Sequence, residues 1–205
     1  LMIRRPPRST QGVSSAASDV YKRQGTNTSW GLIAKIFHWS IALLLFWQVT
    51  TGISLHNMEF SPLKIGIIGS HKISGTVIFT LIVLRLLWRF FNTHPEFKSL
   101  PKKHKITSNI VHFILYFLVI FIPIQGTYMT WLGGSDVSLL GLVEIPPFVD
   151  MDFILYQKHL KVHYYSAIIL ISFFTLHIIA ALYHKYIIGD KYEVWSRMVS
   201  INKKV

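Results

Sequence analysis

The stretch VHYYSAIILISFFTLHIIAALYH, residues 162–184, decides how this chain is read. Its 23 residues include no Asp, Glu, Lys or Arg. At about 1.5 Å per residue, a helix of that length crosses the roughly 30 Å hydrocarbon layer of a bilayer. His163 and His177 stand fourteen positions apart within it. At about 100° per residue they fall within about 40° of one face and about 21 Å apart along the axis. Imidazoles facing lipid are costly, so both are expected to point into the protein and to be used there.

Composition agrees with a membrane reading. The chain is 51% hydrophobic and only 15% charged, against about 25% charged in an ordinary soluble domain. The absence of cysteine removes disulfides, zinc–thiolate and iron–sulfur sites and covalent c-type haem attachment. The ten histidines are then the only strong nitrogen ligands for a metal. The net charge of +12 does not point to nucleic acid. Its lysines and arginines lie mostly outside the apolar blocks, on particular loops, where topology and anionic lipid explain them.

Residues 1–24 stand apart from the rest. They are polar and rich in Ser, Arg and Pro, and they resemble the translation of a sequencing-library adapter. A disordered tail is expected there. It holds five basic residues and one acidic, which leaves +8 on the remainder. Residues 25–205 read as one transmembrane domain, an all-α antiparallel four-helix bundle with spans near 32–55, 67–88, 108–131 and 162–184. Pro123 should bend the third span. The loop between spans two and three carries Arg89, Lys98, Lys102, Lys103 and Lys105 against Glu96. The loop between spans three and four carries Asp136, Glu144, Asp150 and Asp152 against Lys158 and Lys161. Basic segments stay inside, so both termini are expected in the cytoplasm. The outer loop 132–157 is read as an apolar cap, with room for a short interfacial helix.

This orientation converts sequence position into depth. His38 and His177 lie near the cytoplasmic surface, and His71 and His163 lie near the outer one. One imidazole from each of two facing helices, at each of two depths, is what two bis-histidine b-type haems require in a bundle. The alternatives are hydrogen-bonded packing residues, a proton path or a non-haem metal, which the separation of the levels and the lack of nearby carboxylates disfavour. His159, one turn before His163, competes for the outer position. His112 and His184 are candidates for contact with a haem propionate or a quinone. Arg85 and Arg89 are candidates to neutralise propionates, His56 is a candidate to rim the outer site, and His94 and His104 read as loop residues. Gly52, Gly69, Gly75, Ser40, Ser74 and Ala167 could make room for a porphyrin.

Several motifs resemble the bacterial cytochrome b561 family, which includes b-type subunits of nickel hydrogenases and formate dehydrogenases. They are Phe37-His38-Trp39, Gly69-Ser70-His71-Lys72-Ile73-Ser74-Gly75 and Val83-Leu84-Arg85-Leu86-Leu87-Trp88-Arg89. His112, Pro123-Ile124-Gln125-Gly126, and the set His163, His177 and His184 complete the pattern, which runs from about Ser29 to the C-terminus. The resemblance implies two haem b groups ligated by His38, His71, His163 and His177, in the bacterial inner (plasma) membrane. It also implies electron transfer to ubiquinone or menaquinone. Some small members resemble superoxide oxidases, in which Lys72, Lys158 and Lys161 would attract superoxide at the outer haem. The rival implied role is a cytochrome b anchor subunit that takes electrons from a redox partner protein.

Overall fold

The computed structural model describes residues 29–93, 95 and 100–199. The tail expected over residues 1–24 lies outside the described residues, as do His94, Glu96, Lys98, Lys203 and Lys204. Among the described residues four helices are long and apolar enough to cross a membrane: α1 (Leu32–Asn57), α2 (Pro62–Phe91), α3 (Lys102–Leu132) and α4 (Phe153–Tyr186). They form the all-α bundle of a multi-pass membrane protein.

Each helix extends past its apolar run, and at α2 and α4 a side-chain cap, not hydropathy, marks where the helix begins. The α2 helix starts at Pro62, five residues ahead of the expected span, where the Ser61 hydroxyl accepts the Lys64 N–H at 3.2 Å. Proline suits that position, since its missing N–H would have no helical partner there. The α4 helix starts nine residues ahead of 162, where Asp152 Oδ1 accepts the Leu155 N–H at 2.9 Å. Lys158 and Lys161 are therefore helical and not loop residues, as is His104 in the first turn of α3. The α3 helix continues through Pro123.

The segment after α3 departs from the expected interfacial helix. Strands β1 (Val137–Leu139) and β2 (Val143–Ile145) form an antiparallel hairpin in which Val137 faces Ile145. Leu140 (φ 57°) and Gly141 (φ 72°) turn it in the left-handed region, which a β-hairpin requires and a non-glycine residue resists. Thr76 of α2 holds the strained tip. Its hydroxyl oxygen accepts the Leu140 N–H at 3.0 Å and lies 3.2 Å from the Ser138 carbonyl. The hairpin thus folds back along the bundle, with Val137 buried and Leu142 exposed at its tip. At the other end, the short helix α5 (Ser196–Val199) is capped by Asp190, whose carboxylate accepts the Trp195 and Ser196 N–H groups. Trp39 Nε1 donates to the Met198 carbonyl at 3.3 Å and ties that segment to α1.

The close helix contacts run α1 against α2, α2 against α3 and α3 against α4. The α4 helix lies along α3 and keeps its backbone away from α1 and α2. The core is one layer midway along the bundle: Ile41 and Leu45 of α1, Ile78 and Ile82 of α2, Leu118, Val119 and Ile122 of α3, and Leu170 of α4. Ile78, at 1% exposure, is its most enclosed side chain. Ile78→Ala should lower stability by about 2–5 kcal/mol through lost burial and a residual cavity. A reduced unfolding midpoint in detergent, beside an unchanged midpoint for the exposed Leu43→Ala, checks it.

Candidate functional site

Above and below the apolar layer, imidazoles meet in pairs. The rings of His38 on α1 and His177 on α4 have centroids 6.3 Å apart with planes at 71°. Those of His71 on α2 and His163 on α4 are also 6.3 Å apart, at 70°. On α4 the two levels are separated by fourteen residues, about 21 Å of helix rise, with Leu170 midway between them.

Each pair is positioned by small residues and polar partners. A Cβ added to Gly52 would come 3.4 Å from His71 Cε1, and one added to Gly126 would come 3.3 Å from His163 Cε1. These glycines let the two rings lie against neighbouring backbone. Gly75 gives similar access to the Gln48 amide at 3.4 Å, whereas a Cβ at Gly69 would meet nothing. His71 Nδ1 lies 3.0 Å from Thr51 Oγ1. His163 Nδ1 is buried without a partner of good hydrogen-bond geometry, although the Ile122 carbonyl is near. At the other level, Arg85 Nη1 donates to His38 Nδ1 at 3.2 Å.

The remaining candidates divide clearly. His112 joins the His38–His177 level, its ring 5.3 Å from His177 and its Nδ1 3.3 Å from Ser108 Oγ. His184 sits one level further toward the end carrying the lysines of α3. Its ring is 5.5 Å from His104, and its buried Nδ1 has no partner. Arg89 lies over the Trp30 and Tyr116 rings at 5.7 and 6.0 Å, and Arg85 lies 5.6 Å from the same tyrosine. These residues line a small cleft with Trp88, Asn92 and Met198. His159 turns to Gln125 at 2.8 Å and to the edge of Tyr128, so it is not brought to His71. His56 stacks on Tyr164 at 4.8 Å. Among the described residues no three or more His, Asp or Glu gather as a metal-binding group; the hairpin-end level offers a pair of imidazoles, and the basic-end level offers His38 and His177 with His112 beside them.

Sequence reasoning missed Thr51 and Gln48. Both lie among ordinary polar positions of an apolar helix, and only the packing of α1 on α2 singles them out.

Imidazole pairs thus stand at two levels of a bundle of four membrane-length helices. Residues 29–200 match the prokaryotic cytochrome b561 family, and the chain belongs to it. It is 24% identical over 184 residues to cytochrome b561 homolog 2 of Escherichia coli (strain K12), a match covering 85% of this chain and 94% of that relative. Membership gives the protein an electron-transfer role in a membrane helix bundle and a capacity to bind haem. Gly126→Val should displace the His163 ring and reduce the haem bound per inserted chain. Gly66→Ala, whose Cβ would meet nothing, should leave haem content unchanged. The ratio of Soret absorbance to protein in the purified variants measures both.

Proposed function

We propose that the protein carries electrons across the membrane through two b-type haems in an antiparallel bundle and exchanges them with membrane quinone. His38 and His177 hold one haem, and His71 and His163 hold the other. The observation that carries this reading is the equal ring separation at both levels. A metal–imidazole nitrogen bond is about 2 Å, and the ring centre lies about 1 Å beyond the nitrogen. Imidazoles on opposite faces of one metal therefore stand about 6 Å apart. Both pairs stand at 6.3 Å. Two ligands per level suit a macrocycle that supplies the equatorial nitrogens itself. The glycines against His71 and His163 keep those rings close to neighbouring backbone.

A bound haem supplies one-electron ferric–ferrous chemistry that no side chain here offers. The chain's own residues set its surroundings. His38, His177, His71 and His163 would hold the two groups in position, each through its imidazole. Ile78, Ile82, Leu118, Val119, Ile122 and Leu170 form a water-excluding layer between the levels. Arg85 and Arg89 have no carboxylate partner among the described residues, which suits them to neutralise propionates. His112 and His184, at the same end, are placed to supply protons when quinone is reduced.

Lys102, Lys103, Lys105 and Lys185 crowd that end, so it faces the cytoplasm of a bacterial inner membrane, and the hairpin end faces outward. Lys72, Lys158 and Lys161 at the hairpin end favour superoxide as a donor. The opposing role, an anchor subunit docked by a redox partner, is favoured by apolar side chains there. Phe60 is 83% exposed and Phe148 is 74% exposed, close in sequence to the acids Asp150 and Asp152.

Purified in detergent, the protein should give two haem b per chain by pyridine haemochrome. His38→Ala and His71→Ala should each remove one while the chain still inserts; retention of both by either variant sinks the pairing. Reduction by superoxide with and without ubiquinone then separates an autonomous enzyme from an anchor subunit.

A further inference from the structure

The two imidazole levels have different electrostatic surroundings. At the hairpin end, Thr51 is 5% exposed, and its hydroxyl proton has backbone acceptors, the carbonyls of Trp47 at 3.0 Å and Gln48 at 3.1 Å. With its proton directed to those carbonyls, the oxygen presents a lone pair to His71 Nδ1 at 3.0 Å, an arrangement that favours the tautomer with the ring proton on Nδ1. That tautomer leaves Nε2 free to ligate, and donation from Nδ1 makes the imidazole a stronger ligand. The backbone is held as firmly. Gln48 Nε2 donates to the His71 carbonyl at 3.1 Å, and Gln48 Oε1 accepts the Ser74 hydroxyl at 2.6 Å. These partners are neutral. Lys72 is adjacent in sequence but rotated about 100° around α2.

At the basic end the chemistry is reversed. A guanidinium, not a hydroxyl, faces Nδ1 of His38, and a second lies across the shared Tyr116 ring. Arg85 can only donate, so it cannot keep this bond once His38 takes the ligating tautomer with its proton on Nδ1. Its fixed positive charge stays beside that level.

We infer that Thr51 and Arg85 split the two haem potentials: Thr51, as a positioning residue, lowers the potential at the hairpin end, and Arg85 raises it at the basic end. A stronger imidazole donor favours ferric iron, and a nearby cation favours ferrous iron. One electron therefore leaves the ferrous iron at the hairpin end, oxidising it, and reduces the ferric iron at the basic end. Electrons move from the outer donor side toward the His112 and Arg85 side. The inference rests on the two-haem reading above.

The test is spectroelectrochemical titration of the haem-loaded protein, with low-spin electron paramagnetic resonance of the same samples. Thr51→Val should move only the lower of two one-electron waves upward and shift one low-spin signal; Thr51→Ser, which keeps the hydroxyl, should restore both. Arg85→Gln should move only the upper wave downward. Each tenfold change in electron sharing between the irons corresponds to about 59 mV. Both variants acting on the same wave, a shift of opposite sign, or two unmoved waves would overturn the inference and leave the two-haem reading standing. Fewer than two haems in the parent protein would overturn that reading and the inference with it.

Discussion

Hydrocarbon supplies no hydrogen-bond partner, so every polar group carried into it must be matched inside the protein. That constraint organises this bundle. Along α4 it appears as a seven-residue spacing: His163, Leu170 and His177 return to nearly one face, so that imidazole, apolar spacer and imidazole follow in register. The facing helices repeat the order. On α2 the sequence is His71, Ile78, Ile82 and Arg85; on α1 it is His38, Ile41, Leu45, Gln48 and Thr51. The core of this protein is thus a partition between two polar levels, and packing and function share the same faces.

Much of this was legible from the chain because helix rise turns residue number into depth. His38, His71, His163 and His177 lie in or beside uncharged runs, and the levels expected for them coincide with the pairs that form. Thr51 was not legible. Hydroxyls in apolar helices commonly bond to the carbonyl one turn back, and Thr50, Ser54, Thr130 and Ser172 all do so. Thr51 does the same at Trp47. What distinguishes it from Thr50 is a rotation of about 100° that points it at α2, and composition carries no trace of that. Helix ends were obscure for a related reason: an apolar run marks the part of a helix matched to lipid, whereas Ser61 and Asp152 decide where α2 and α4 begin.

The hairpin shows a different limit. Leu139, Leu140, Leu142 and Val143 are apolar enough for an interfacial helix, and the turn lacks the Asn-Gly or Asp-Gly pair that announces a hairpin. Leu140 holds a positive φ with its N–H bound by the Thr76 hydroxyl. The turn is specified from outside itself, by a residue 64 positions earlier. A tertiary hydrogen bond thus supports a turn that the local sequence does not announce.

The spacing of the helices follows from the same constraint. Closely packed helices usually stand about 8–10 Å apart, and α1 with α2 and α3 with α4 pack closely. The helices bearing opposed imidazoles do not, since two histidine side chains whose rings are 6.3 Å apart must fit between their backbones. The bundle therefore divides into two close pairs, bridged by α2 on α3 and by the apolar layer. Leu170 is the one fully buried residue α4 contributes to that layer. On the two-haem reading, the remainder of the distance between α4 and the α1–α2 pair is set by what the imidazoles hold, and ligation becomes a tie between the halves of the fold as well as the seat of its chemistry.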